Sequence, residues 1–251
     1  MTYPTLITYA NFGYIDFARI LIENVKKIKN HKLHFYCLDQ AIYDELSKTR
    51  YENIILELYI SNVSSQFENY NSSSYKVLTH QKVNILEKAL EIYGFIHFMD
   101  CDVLVLKEPT SDYWEKYNYD IVFQFDCGFH SKDRAHYPLF FNWTCTGNMT
   151  LRDSSRTRDF LTKIKEYQCK FPFLNDQECL RDFFKQTSGD DIRDCKIANL
   201  YVYPYEEFTN GAWLSNNIGD LSRTYFFHAN HVTGKESKIN LLIKALSSST
   251  L

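Results

Sequence analysis

Phe95-Ile96-His97-Phe98-Met99-Asp100-Cys101-Asp102 is the stretch on which the reading of this chain turns. The mostly apolar run from Phe95 to Met99 has the length of a buried strand, and it leads straight into two carboxylates. An Asp-x-Asp triplet alone carries little, because a chain of this size contains one by chance about once. Its position is what counts: the C-terminal end of a strand is where open α/β sheets bind ligands. In extended backbone, alternate residues point the same way, so Asp100 and Asp102 face one site while Cys101 turns into the core. Two carboxylates that close repel unless a cation lies between or beside them. Hard oxygen ligands of this kind suit Mn²⁺ or Mg²⁺, with water and phosphate oxygens completing the shell. The plain alternative is a pair of solvated turn aspartates.

Just upstream, Leu78, Lys82, Ile85, Leu86, Ala89, Leu90 and Tyr93 share one helical stripe, closed by Gly94 as a C-terminal cap. At the N-terminus, Leu6 to Ala10 reads as a strand, Asn11-Phe12-Gly13 as a turn, and Ala18, Leu21, Ile22, Val25 and Ile28 as a helix face. Leu33 to Leu38, Gln40 to Thr49 and Ile54 to Ile60 repeat the strand, helix, strand order. This alternation predicts an α/β, Rossmann-like fold, a mostly parallel central sheet flanked by helices. Ser61 to Ser74, rich in Ser and Asn, reads as a loop or lid. Beyond the Asp-x-Asp strand, Val103 to Leu106 is extended, Thr110 or Ser111 caps a short helix over Tyr113 to Tyr117, and Asp120 to Phe125 is a strand. Further strands are placed at Asn142 to Leu151, Leu200 to Tyr203 and Thr224 to His228. Helices are placed at Ser154 to Glu166, Asp176 to Lys185 and Glu236 to Leu246. No composition shift marks a linker, so residues 1–251 read as one domain.

With 251 residues and 45% hydrophobic content, the chain can bury one sizeable core. A formal net charge of −3 argues against a nucleic-acid binder, which needs clustered Lys and Arg. No apolar run reaches the roughly 18–20 residues of a membrane helix, and Thr2 and Pro4 do not open a signal peptide, so membrane insertion is not expected. Cys37, Cys101, Cys127, Cys145, Cys169, Cys179 and Cys195 are scattered with no Cys-x-x-Cys pair, and they read as reduced thiols in a cytoplasmic protein. Asn62, Asn71, Asn142 and Asn148 each begin an Asn-x-Ser/Thr triplet, which a chain rich in Asn and Ser produces by chance.

A second constellation runs Phe226-Phe227-His228-Ala229-Asn230-His231-Val232-Thr233-Gly234-Lys235, with Lys238 one helical turn later. A histidine at the end of an apolar strand can be a third metal ligand, since imidazole coordinates Mn²⁺ readily. Gly234 permits close backbone approach to a phosphate, and Lys235 falls where a helix N-terminus adds its amides and dipole. Taken singly, either histidine reads better as a core residue and the lysine as a surface one; the position at a strand-to-helix junction downstream of the Asp-x-Asp strand shifts the balance.

Together the segments resemble the nucleotide-diphospho-sugar transferases of the GT-A fold, in particular the retaining plant xylosyl- and galactosyltransferases and the glycogenin-like enzymes. The resemblance spans nearly the whole chain. It rests on Thr8-Tyr9-Ala10-Asn11, Lys82, Phe98 to Leu104, Cys145-Thr146-Gly147-Asn148, Asn175-Asp176-Gln177, Pro204 to Gly211 and His228 to Lys235. It implies that Thr8, Tyr9, Ala10 and Asn11 line the nucleoside pocket, that Cys101 lies against the donor, and that Lys82 reaches the donor sugar or diphosphate. It also implies Mn²⁺ on Asp100, Asp102 and a histidine, with Gly234 and Lys235 on the diphosphate. Asn148, Asp176 and Gln177 face the transferred sugar. The glycogenin-like motif has its histidine three residues before the glycine, which points to His231. The strand that ends Tyr225 to Phe227 leads instead to His228, and His228 is preferred.

The implied activity is transfer of a sugar from a nucleotide diphosphate, UDP by default, to a hydroxyl on a glycan, protein or small molecule, with retention. Mn²⁺, Lys82 and Lys235 would stabilise the departing diphosphate, and Asp176 and Gln177 the reacting sugar. Asp176 could equally cap the helix that follows it. Two alternatives share the fold: an inactive nucleotide- or sugar-binding module, and a sugar nucleotidyltransferase. The latter would carry a Gly-rich basic phosphate loop near its N-terminus, which Asn11-Phe12-Gly13 is not.

Overall fold

The computed structural model describes residues 3–126, 143–215 and 221–248. Cys127 and Asn142, the first residue of a predicted strand, lie outside them. Strands β1 (Thr5–Ala10), β2 (Leu33–Cys37), β3 (Ile54–Leu58), β4 (Phe95–Met99), β6 (Ile121–Phe125), β7 (Thr144–Arg152) and β8 (Leu200–Val202) form a seven-stranded sheet in the order β3-β2-β1-β4-β7-β6-β8. Only β7 among these runs against its neighbours. Strands β5 (Val103–Val105), β9 (Phe208–Asn210) and β10 (Phe226–His228) make a second, small sheet in the order β5-β10-β9. The α/β, mostly parallel architecture is the one the strand and helix alternation predicts.

The helices are α1 (Ile15–Val25), α2 (Gln40–Leu46), α3 (Ser73–Tyr93), α4 (Ser111–Lys116), α5 (Ser155–Lys170), α6 (Asp176–Thr187), α7 (Gly211–Ser215) and α8 (Lys235–Ser247). Helix α1 begins and ends three residues earlier than the apolar spacing suggests; Ile28 still reaches the core through a turn in which its N–H meets the Val25 carbonyl at 3.1 Å. Thr110, not Ser111, caps α4, its hydroxyl accepting from the Tyr113 N–H. Helix α3 starts five residues before Leu78, because Ser72 caps it, and it ends on Gly94. No sequence pattern predicts strand β9: three residues between Glu207 and Gly211 carry too little periodicity, and pairing with β10 is what recruits them.

Two apolar clusters fill the faces of the large sheet. One sets α1 and the small sheet against β1 and β2; the other sets α3, α5 and α6 against β4, β6 and β7. Asp39, Ser72, Thr110, Ser154 and Asn175 each cap the helix that follows, so N-terminal amides are satisfied where the sequence changes from strand or loop to helix.

Asp120 ties the far end of the sheet together. Its buried carboxylate accepts from the Asn199 N–H at 2.8 Å, the Ser154 hydroxyl at 2.8 Å and the Arg156 guanidinium at 2.7 Å. Burial pushes the carboxyl up, but Arg156 and the two neutral donors outweigh it and hold its pKa below the ordinary value. A depressed folded-state pKa contributes stability that is present above the unfolded value of about 3.9 and is lost as pH falls through the folded one. Asp120→Ala is expected to lower unfolding free energy by about 1–3 kcal/mol at neutral pH. The deficit should shrink in urea titrations repeated below pH 4.

Candidate functional site

The carboxyl end of β4 brings Asp100 and Asp102 to the wall of a cavity of about 520 Å³. The small sheet completes the arrangement. In β10, His228 pairs with Val103 of β5, next to Asp102, and its ring faces both carboxylates. His228 Nε2 lies 3.2 Å from Asp102 Oδ1 and 4.0 Å from Asp100 Oδ2. These three side chains form a group that could hold a metal ion, one ligand atom from each lying within 4.8 Å of the others.

Each carboxylate divides its oxygens. The outer oxygen of Asp102 takes the Lys238 ammonium at 2.5 Å, and that of Asp100 takes Lys82 at 3.2 Å. The inner oxygens are left facing His228. Gly147 keeps this space open: a Cβ there would lie 2.5 Å from Asp100 Oδ2 and closer still to His228 Cε1. Two hard carboxylate oxygens and one imidazole nitrogen around such a gap fit Mn²⁺ or Mg²⁺.

Lys82, buried on α3, is the hub of the cluster. Besides Asp100, it donates to Asp176 Oδ2 at 2.6 Å and to the Thr146 carbonyl at 3.1 Å. Burial disfavours its charge, yet Asp100 and Asp176 outweigh that penalty and raise its pKa. Burial lifts the Asp100 carboxyl above the ordinary range despite Lys82 and His228, although a third of its side chain, 33%, opens to the cavity. Asp102 is also buried, but Lys238 and then His228 hold its carboxyl well below the usual range.

Strand β7 reaches this cluster through an irregularity. Its register against β6 shifts between Phe123, opposite Met149, and Gln124, opposite Cys145. Thr146, Gly147 and Asn148 therefore lie off the β6 ladder, and Thr146 and Gly147 turn to Lys82, Asp176 and Asp100. The Thr146 hydroxyl donates to Asp176 at 2.8 Å. Gln177 accepts from the Thr146 N–H at 2.8 Å and donates to the Thr144 carbonyl at 2.6 Å. Asn175, with Glu178 in a capping box, supplies the cap of α6. Asp176 is thereby free of the capping role the sequence allowed it, and its carboxylate turns to Lys82.

The cavity wall includes Tyr9, Ala10, Cys101, Asp176, Gln177 and Gly234. Several sequence expectations are corrected here. Thr8 and Asn11 are wholly buried rather than on the wall. The Asn11 amide donates to the Ser64 and Gln66 carbonyls, fastening the segment before α3 over the cavity, where Phe67 and Tyr70 line it. Asn148 points to the opposite face of β7, into the core beside His97. Lys235 does not face the cavity; its ammonium lies 2.7 Å from Asp16 on α1. Lys238, one turn further along α8, lines the wall in its place. The sequence contained Lys238, and its helical offset from Gly234 was the available signal. His231 has left-handed backbone, φ 58°, and its Nε2 meets Asp126 at 3.1 Å, a carboxylate that also takes Arg181 and Asn230. Its ring thus lies outside the three-ligand group, which contains His228.

No curated protein matches the chain. Residues 30–242 match the family described as nucleotide-diphospho-sugar transferase. Among solved structures, a glycosyltransferase involved in the glycosylation of the major capsid of PBCV-1 has a TM-score of 0.56 at 14% identity, over 96% of this chain and 100% of its own. The glycosyltransferase GlyE of Streptococcus pneumoniae TIGR4 gives 0.55 at 10% identity, over 98% of this chain and 65% of its own. The bifunctional glycosyltransferase WbbM gives 0.54 at 12% identity, over 99% of this chain and 50% of its own. At these identities the likeness is one of fold.

Removing the Lys82 ammonium would leave Asp176 and Asp100 facing each other without their shared cation. Lys82→Met is expected to cost about 3–5 kcal/mol of stability. Adding Asp176→Asn should recover part of it, with a coupling of about 0.5–3 kcal/mol in a double-mutant cycle read by chemical denaturation. Strict additivity of the two changes would show that the pair does not interact.

Proposed function

This chain belongs to the nucleotide-diphospho-sugar transferase family, and from that premise we propose that it moves a sugar from a UDP-sugar to an acceptor hydroxyl with a divalent cation, Mn²⁺ or Mg²⁺, at Asp100, Asp102 and His228. The observation that carries this reading is the division of labour at the carboxylates: Lys82 and Lys238 occupy the outer oxygens and leave the inner ones to face His228. An inactive binding module needs no such balance of charge. Asp100, Asp102 and His228 would hold the cation, which would supply positive charge to the departing diphosphate.

The chain's own groups supply the rest. Tyr9 and Ala10 at the end of β1 line the cavity together with Tyr14 and Phe67, and the three aromatic rings offer apolar surface to a nucleoside. Lys238 lies beside Asp102 on the wall, where its ammonium can follow the leaving diphosphate as negative charge develops. Gly234, at φ 91°, turns the chain into α8 and exposes the first amides of that helix. Asp176 and Gln177 face the transferred sugar. The Asp176 carboxylate is engaged by Lys82 and Thr146, which makes it a poor nucleophile. Retention would then come by attack from the leaving-group side rather than through a glycosyl adduct on Asp176. The acceptor, a glycan, protein or small molecule, approaches from the open mouth.

Among the described residues no helix is long and apolar enough to cross a membrane. Among the described residues, Cys37, Cys101, Cys145, Cys169, Cys179 and Cys195 form no disulfide; a reducing, cytoplasmic setting is the reading of their scattered spacing in the sequence.

Incubation with a panel of nucleotide sugars should release nucleoside diphosphate, and EDTA should abolish the release. Pyrophosphate release would identify a nucleotidyltransferase, and donor binding without turnover an inactive module. Calorimetry with Mn²⁺ and UDP should show Asp102→Asn and His228→Ala each weakening metal binding by at least about tenfold, with His231→Ala near the unsubstituted protein. Equal losses at both histidines would refute the assignment of His228.

Lys238→Ala should lower kcat by about 10–100-fold, corresponding to about 1.4–2.8 kcal/mol of transition-state stabilisation, with a smaller change in acceptor KM. Lys235→Ala should leave kcat within about threefold, because its ammonium pairs with Asp16 away from the cavity wall. Steady-state kinetics on both variants decides which lysine acts on the diphosphate.

A further inference from the structure

Gln124 is wholly buried at the register shift of β6, between the two sheets. Its amide group makes three contacts. Nε2 donates to the Thr209 carbonyl at 2.7 Å and the Phe208 carbonyl at 3.3 Å, both on β9. The opposite end, Oε1, lies 3.2 Å from Nδ1 of His228. Two carbonyls at one end fix which end of the amide is nitrogen, since carbonyl oxygens only accept. The end facing His228 is therefore the oxygen, also an acceptor only.

An acceptor-only oxygen at Nδ1 is satisfied only when Nδ1 carries a proton, which leaves Nε2 as the nitrogen a cation can take. Nε2 is the atom that faces Asp100 and Asp102. Cys145 Sγ also lies near Nδ1, at 3.6 Å, and as a thiol it is a weak donor. The closer amide oxygen, satisfied only by an N–H, outweighs it. Asp102 Oδ1, also an acceptor and also at 3.2 Å, competes at Nε2, so without Gln124 a neutral ring would hold its one proton on Nε2, where it blocks coordination.

We propose that Gln124 is a positioning residue that keeps a proton on Nδ1 of His228, so that Nε2 is the nitrogen that meets a cation. The inference rests on the assignment of His228 as a ligand and adds the residue that makes it competent. The small sheet then has two roles, since β10 carries the histidine and the β9 carbonyls hold the glutamine that orients it. The same contacts stop the ring from flipping, because reversal would place a carbon where the amide oxygen needs a donor.

The decisive experiment begins with the unsubstituted protein. Long-range ¹⁵N–¹H NMR of the histidine rings, in mildly alkaline buffer and without metal, should show Nδ1–H for His228, the signal being assigned by its loss in His228→Ala. An unprotonated Nδ1 would overturn the proposal whatever the variants do. Gln124→Leu should move the ring toward the Nε2–H form and weaken binding of Mn²⁺ alone by about 10–100-fold in calorimetry. Gln124→Glu keeps an acceptor at Nδ1 while losing the amide donors to β9, so it should retain the Nδ1–H form. A Leu variant that binds Mn²⁺ like the unsubstituted protein would refute the positioning role, as would a Glu variant in which the ring changes tautomer. If the unsubstituted protein binds no Mn²⁺ while His228 is Nδ1–H, the metal assignment itself fails and takes this role with it. That result differs from every outcome that condemns Gln124 alone.

Discussion

Three carboxylates, Asp100, Asp102 and Asp176, are gathered around two ammonium groups beside one cavity, and most of the architecture serves to keep that arrangement together. Like charges at this range raise each other's pKa and would protonate or move apart if left alone. Lys82 reaches Asp100 and Asp176 from α3, and Lys238 reaches Asp102 from α8. The two cations act on the outer oxygens, so the inner pair stays available without being neutralised from within. Protein ammonium groups thus stabilise the cluster while leaving a gap of the size and polarity a divalent cation needs.

Holding five charged groups to this geometry takes elements that are distant in sequence. The C-terminal end of β4 supplies two carboxylates in alternate positions. The register shift in β7 lets Thr146 and Gly147 approach where a regular strand would have kept its ladder with β6. The capping box of α6 is formed by Asn175 and Glu178, which frees Asp176 for Lys82. The small sheet delivers His228 from the side opposite α3. Gln124 joins the two sheets through one amide, with its nitrogen on β9 and its oxygen toward the histidine. None of these parts would be stable in that conformation alone.

Much of this was legible in the sequence, and the reasons are local. A run of apolar residues into Asp-x-Asp fixes both strand and direction, because alternate side chains in extended backbone must share a face. His228 stands out from His231 on the same ground: Tyr225 to Phe227 continue directly into it. Helical periodicity placed Lys82 among the core positions of α3, and the Asn175-Asp176-Gln177 segment was marked as the start of a helix. What failed was direction at helix starts and in tight turns. Lys235 and Lys238 are both plausible beside Gly234, and a rotation of one turn decides which ammonium meets Asp102 and which meets Asp16. Asn11 looked like a ligand-facing polar residue at a strand end, yet its amide is consumed by the Ser64 and Gln66 carbonyls, which lie 53 and 55 residues away.

The sequence by itself determined the alternation of strands and helices, the pairing of Asp100 with Asp102, and the apolar strand that ends in His228, because each follows from the period of side chains along one short segment. Only the tertiary structure decided which charges meet. Ion pairs such as Lys82 with Asp176 and Lys238 with Asp102 span 94 and 136 residues of separation. The orientation of the Gln124 amide depends on carbonyls of a strand that no local pattern announces. Such contacts are set by packing of whole elements against one another, and a side chain's partner there is whatever the fold brings to it.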